Sequence, residues 1–482
     1  MSEATTYLEQ YRRENPLGTQ PVMKLLVQFS IPAIISCLIN SIYNIVDQIF
    51  IGQGVGYLGN AATTVAFPIM TILMAFGTLI GAGSSAYAAI RLGEGNEEEA
   101  NRSLNNAFWF SLLVGIALMI VGILFLRPLL RLFGAADPEI MRYAYDYTFV
   151  ILLGTPFNLV SIVLSNLART DGHPRLSMYG ILIGAILNTI LDPIYIFVFH
   201  WGVTGAAIAT ITSQLISAVV LTVYFLRPAK NKPQHMRITR QESRLRGRLI
   251  YRFVTLGISS GITQSVACIM QVVMNNSLVY YGDLSPTGGS VALSAMGIVM
   301  KIAMIMAAFG IGVGIGAQPI LGFNRGAQQY GRIRQSYLLA VSFSTGLILI
   351  SWMICQLWPQ AIISIFGDAN AEFTNFAVRC LRIYLFCIFC AGFQIVSTNY
   401  FQATGQPLKA SVLSMLRQLL LLIPLLVILP IFFGLDGILY AGPIADFSSA
   451  VIVAFFIIPE MKKLSAAARA EQERKTAQPA QS

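Results

Sequence analysis

Two carboxylates sit in stretches otherwise built from apolar side chains. Asp47 closes Tyr43-Asn44-Ile45-Val46-Asp47, and Asp192 lies in Leu187-Asn188-Thr189-Ile190-Leu191-Asp192-Pro193. Ionisable groups inside apolar segments are costly to keep and point to function. Asn40, Tyr43 and Asp47 are three and four residues apart and share one helix face; Asn188 and Asp192, four apart, share another. Thr210 follows in the next apolar segment. Two carboxylates, an amide and a hydroxyl offer only hard oxygen ligands and negative charge. That chemistry suits Na⁺ or a shared proton rather than a soft transition metal. Two carboxylates at close range do not both stay charged unless a cation lies between them. The alternative is that each Asp caps a frayed helix end or bonds a neighbouring helix. Pro193 lacks an N–H, which frees the Thr189 carbonyl for another partner.

The elements that must position these groups are membrane spans. Apolar residues make up 55% of the 482 residues and charged residues 11%, whereas soluble domains are about 25% charged. A spanning helix needs about 20 apolar residues. Twelve segments qualify: 24–51, 61–86, 104–130, 143–168, 176–199, 203–226, 249–280, 292–320, 336–363, 376–400, 410–433 and 436–459. Asp47, Asp192 and Thr210 then lie at a matched depth, roughly 6–11 Å below their outer helix ends, and are expected to form one group. The polar residues 1–21 read as a cytoplasmic tail with no cleavable leader, and 461–482 as an unordered cytoplasmic tail.

Orientation follows from the basic residues. With the N-terminus inside, 25 of the 32 Lys and Arg fall in inner loops and tails and five in outer ones. Both termini are therefore expected in the cytoplasm. The net charge of +10 is concentrated in the basic linker 227–248 and its flanks. This reads as a positive-inside anchor between two halves, with anionic lipid or nucleic acid as the competing partners; no nucleic acid is expected.

The chain repeats itself at a shift of 233 residues. Ala75-Phe76-Gly77 falls on Ala308-Phe309-Gly310, Gly81 and Gly83 on Gly314 and Gly316, Gly93 on Gly326, Phe133-Gly134 on Phe366-Gly367, and Gly172 and Pro174 on Gly405 and Pro407. Six glycines coincide, where chance gives about one. Two six-helix halves follow, 22–226 and 249–460, both starting inside. Halves of equal orientation are expected to relate by a pseudo-twofold along the membrane normal, with a cleft between them.

The second half carries Gln264, Gln271, Asn275, Lys301, Arg382, Arg417 and Asp446 within its spans. Lys301 and Asp446 read as a buried pair or as substrate contacts. Pro32, fifteen residues before Asp47 on the same helix, is a candidate hinge or a static kink. Six scattered cysteines, including Cys387 and Cys390, read as packing residues. None of His173, His200 and His235 adjoins a Ser or Cys nucleophile, and neither a Walker motif nor a dinucleotide fingerprint is present. The reading is a protein that is not an enzyme, has no cofactor and draws on an ion gradient.

Ile45-Val46-Asp47-Gln48-Ile49-Phe50-Ile51-Gly52, Gly172-His173-Pro174, and Asn188 to Pro193 followed by Gly202-Val203-Thr204-Gly205-Ala206-Ala207 together resemble the multidrug and toxic compound extrusion (MATE) family, over residues 15–460. The resemblance implies a secondary antiporter of the cell membrane. It would export cationic or amphipathic drugs in exchange for Na⁺ or H⁺ by alternating access, as a monomer. It is nearest the DinF-like branch, whose cation site matches Asp47, Asn188, Asp192 and Thr210 and whose bending helix matches Pro32. Asn40, Tyr43, Gln264, Gln271, Asn275 and Lys301 are then cavity or substrate candidates. The NorM-like branch carries acidic residues in spans seven and ten that this chain lacks. The competing reading is a flippase for lipid-linked or polysaccharide precursors.

Overall fold

A computed structural model describes residues 15–135, 137–227, 236–239, 242, 244–365 and 371–477. The regular structure in these residues is helical. The main helices are α1 (Val22–Val55), α2 (Tyr57–Gly93), α3 (Glu97–Leu124), α4 (Pro138–Thr170), α5 (Pro174–Val198), α6 (Gly202–Leu226), α7 (Gly247–Asp283), α8 (Gly289–Gly326), α9 (Tyr330–Leu357), α10 (Ala371–Tyr384), α11 (Cys390–Ala403), α12 (Pro407–Phe433) and α13 (Leu435–Ala477). Apart from α10 and α11, each is long and apolar enough to cross a bilayer, which makes eleven among the described residues. Helix starts follow local chemistry. Asn96 accepts the Glu99 N–H at 3.0 Å ahead of three acidic residues on α3, and Asp137 caps α4 with Pro138 in its first turn.

The chain divides into two compact units. The first contains Ile35–Gln264, with α2 to α6, most of α1 and the start of α7. The second contains Gly18–Ile34 and Ser265–Ser482. Each unit uses the repeated glycines in the same way. In the first, a Cβ on Gly77 would lie 2.8 Å from Ile162 and one on Gly81 2.8 Å from Asn166. In the second, one on Gly310 would lie 3.2 Å from Ile395 and one on Gly314 2.7 Å from Asn399. Ile395 and Asn399 are Ile162 and Asn166 moved by the same 233 residues. The repeat thus recurs as a contact pattern, small residues on one helix admitting the same side chains of another.

Two features differ from the sequence reading, and a third adds to it. The segment 376–400 is crossed by α10 and α11, joined by Leu385–Phe389, where Phe386, Ile388, Cys390 and Ala391 donate to carbonyls three residues back instead of four. The run is apolar throughout, so hydropathy cannot register this tightening. The expected unordered tail is corrected in part: α13 runs unbroken to Ala477. Its Ala-rich sequence favours helix, Leu464 is buried, and Glu471 accepts the Tyr330 N–H at 3.1 Å, capping α9. The described part of the linker is tied to the first unit. Its backbone N–H groups at Met236, Arg237, Thr239 and Arg246 donate to Asp171, Asn101, Asn105 and Asn106 at 2.7–2.9 Å.

Arg12 and Arg13, His235, Phe366-Gly367 and the last five residues lie outside the described residues.

Candidate functional site

The C-terminal ends of α1 and α5 converge with the N-terminal part of α6 within the first unit. Directly after Asp192-Pro193, α5 widens into a π-helical turn, Ile194–Val198, a distortion that often accompanies functional sites. Gly54 of α1 seats against it: a Cβ there would overlap the Ile196 side chain and lie 3.2 Å from Phe197. Phe50 meets Phe197 edge-on at 6.3 Å. A Cβ on Gly205, at the start of α6, would meet the Tyr195 backbone at 3.0 Å. These close approaches fix α1 and α6 against the turn that directly follows Asp192 and Pro193.

The polar groups meet beneath those contacts. The Asn188 amide donates to Asp192 Oδ1 and to Thr210 Oγ1, each at 3.2 Å. The Asp47 and Asp192 carboxyl groups lie close enough to interact electrostatically. The Tyr43 hydroxyl lies beside Thr210. Asn188, Asp192 and Thr210 are 1%, 0% and 2% exposed. Asp47 Oδ1, Asn188 Oδ1 and Asp192 Oδ2 are buried without hydrogen-bond partners. Buried oxygens are normally satisfied; three orphans in one cluster form an acceptor-rich site suited to Na⁺ or a proton.

Tyr147 of α4 belongs to the same neighbourhood and was not singled out from sequence. It is 2% exposed and lies in the electrostatic range of Asp47, Tyr43 and Asp192, with its hydroxyl toward Met70 Sδ at 3.9 Å. It lies four residues from the outer end of its apolar segment 143–168, as Asp47 does from the outer end of 24–51, so depth is the one sequence signal that links it to them. Asn40 stays apart: its carbonyl accepts Asn44 Nδ2 at 2.6 Å, but its amide makes no hydrogen bond to the group.

Other candidates are dispersed. Gln264, partly buried, ends the first unit's share of α7. Gln271 donates to Asn275 at 2.9 Å one turn along the same helix. Lys301 is exposed on α8, about 18 Å along the helix from Gly289. The expected Lys301–Asp446 pair is corrected: Asp446 accepts from Arg417 Nε at 2.5 Å. Arg417 lies in a π-helical stretch, Leu416–Leu422 of α12, and both α10's terminal Tyr384 and Cys387 lie near the pair. Proximity decides the partner, and sequence gives no distance between α8 and α13. All six cysteines are unpaired. Pro32 is buried inside an unbroken α1, in the part that packs within the second unit.

An all-helical chain with membrane-length helices, and buried hard-oxygen donors on three of them, has the build of a membrane transporter. The family model MatE matches residues 32–194 and 258–428, and the chain belongs to that family, one of transporters rather than enzymes. It is 26% identical over 439 residues to the multidrug export protein MepA of Staphylococcus aureus strain MSSA476, covering 91% of this chain and 94% of that one. The MepA protein of Staphylococcus haemolyticus strain JCSC1435 is 25% identical over 448 residues, covering 92% and 95%. Among solved structures, a ligand complex of the MATE multidrug transporter DinF-BH superposes with a TM-score of 0.82 at 33% identity, covering 90% and 95%. An outward-facing multidrug resistance MATE transporter of the MOP superfamily gives a TM-score of 0.86 at 22% identity, covering 95% and 98%.

Proposed function

We propose that this chain is a DinF-like multidrug antiporter of the cell membrane, with both termini cytoplasmic. It exports cationic or amphipathic compounds in exchange for Na⁺ or H⁺. The carrying observation is the set of partly buried Asp47 with buried Asn188, Asp192 and Thr210, and its three orphan oxygens. In this reading external Na⁺ or H⁺ enters between the carboxylates, which otherwise repel, and its arrival drives release of the drug. The descriptions of MepA as a multidrug exporter and of DinF-BH as a multidrug transporter support the substrate class. Pro32 is the hinge through which a charge change at Asp47 alters α1.

Tyr43, Gln271, Asn275 and Lys301 are the substrate-facing candidates, with Asn40 and Gln264 further along the same helices. Lys301 is the most informative. An exposed ammonium near mid-span faces an aqueous path, because lipid would not tolerate it. It repels a second cation and so favours drugs whose charge is single or is balanced by an acidic group.

The test is dye accumulation in cells lacking their own exporters. Expression of the wild type lowers retention of a cationic dye, while Asp47→Asn and Asp192→Asn, expressed to the same level, leave retention at the vector value. Full export by both variants would refute the proposed site.

A further inference from the structure

Where α9 begins and α13 leaves its apolar stretch, the two helices of the second unit border an open groove of about 480 Å³. Its floor is apolar: Leu338 of α9 with Ile458 and Met461 of α13. Its rim is basic: Arg334 of α9 with Lys462 and Arg469 of α13. Along α13 the residues Ile458, Lys462, Ser465 and Arg469 are four, three and four apart, so they follow one face from apolar to charged. On α9 the order along the chain is reversed, Arg334 preceding Leu338 by one turn. No carboxylate lines the groove, and among the described residues Arg334, Lys462 and Arg469 have no hydrogen-bond or ion-pair partner.

We infer that this groove is a site for an anionic glycerophospholipid of the cytoplasmic leaflet. The phosphate would sit among the three basic side chains and an acyl chain along Leu338, Ile458 and Met461. The order of the lining decides the occupant. A soluble anion would neutralise the rim but leave the floor against water. A zwitterionic lipid would cover the floor but leave three like charges close together without compensation. A lipid with net negative headgroup charge satisfies both at once, and basic pockets at the cytoplasmic ends of spanning helices have this chemistry. From Ile458 to Lys462 the helix rises about 6 Å, the thickness of the headgroup layer over the hydrocarbon edge.

The inference uses the proposed orientation but not the transport reading, and its readout is lipid retention. Wild-type protein is reconstituted in nanodiscs of phosphatidylcholine and phosphatidylglycerol at three to one. It is then released into mild detergent and weighed by native mass spectrometry. The expected result is selective retention of phosphatidylglycerol. The neutral variant R334Q/K462Q/R469Q loses that preference by roughly a hundredfold, at about fivefold per basic group removed. The charge-conserving variant R334K/R469K keeps it. Equal retention of the two lipids by the wild type would overturn the inference. So would undiminished retention by the neutral variant, or loss in the charge-conserving variant as complete as in the neutral one. Dye export that fails while lipid selectivity persists would count against the transport reading alone.

Discussion

Asp47 on α1 and Asp192 on α5 lie close enough for each to act on the other's charge, and each leaves one buried oxygen without a hydrogen-bond partner. Two negative charges at that range in a poorly hydrated site repel strongly, and one cation between them removes the repulsion. Na⁺ and H⁺ therefore compete for a single place. A falling pH fills the pair with protons and weakens Na⁺ binding, by up to about tenfold per pH unit where one proton is displaced per ion. Na⁺ titration of the purified protein at several pH values measures this. An affinity constant from pH 8 to pH 5 would mean that proton and ion do not share the site.

Gly54 sets the distance between α1 and the π-helical turn after Asp192. A Cβ at position 54 would overlap Ile196, a β-branched and therefore stiff side chain, so Gly54→Ala must push the helices apart. The expected cost is about 1–3 kcal/mol of stability, with weaker Na⁺ binding. Adding Ile196→Ala restores much of both. Gly52→Ala is the control: its Cβ would meet only the end of the Asn60 amide at 2.7 Å, which can swing away. Thermal unfolding in detergent and Na⁺ titration would show the contrast; equal effects at positions 52 and 54 would remove Gly54 from this role.

Arg417 and Asp446 form a largely buried pair, with side chains 25% and 3% exposed. Removing one partner strands the other charge. Arg417→Met or Asp446→Leu alone should cost about 3 kcal/mol, read as a clear fall in Tm. The double variant should cost much less than the sum, since no charge is left unpaired. Additive losses would mean that the pair does not act as a unit.

The legibility of the molecule in its sequence followed the rarity of its signals. Asp47, Asn188, Asp192 and Thr210 stand out because charged and amide groups are scarce in apolar spans, and helical spacing with matched depth was enough to group them. Tyr147 was hidden because tyrosine is ordinary in a span, its ring being at home among apolar side chains. The repeat was legible through glycines, since close helix contacts tolerate so few alternatives that Gly81 and Gly314 had to coincide. The turn at Leu385–Phe389 left no trace: no proline or glycine interrupts it, and a shift in hydrogen-bond register does not alter hydropathy. Asp446 was matched to Lys301 instead of Arg417 because composition names the ions but not which helices touch.

The most direct test is transport from a defined compartment. Purified protein in proteoliposomes loaded with a cationic dye is exposed to an imposed Na⁺ gradient, then to an imposed proton gradient. The wild type is expected to move dye when at least one gradient is present and to stop when both are collapsed. Asp47→Asn and Asp192→Asn, equally well folded, are expected to lose that gradient-driven component, falling on the order of a hundredfold as half of the site's charge is removed. Dye movement that ignores both gradients, or that is unchanged in both variants, would contradict cation-coupled export through this pair.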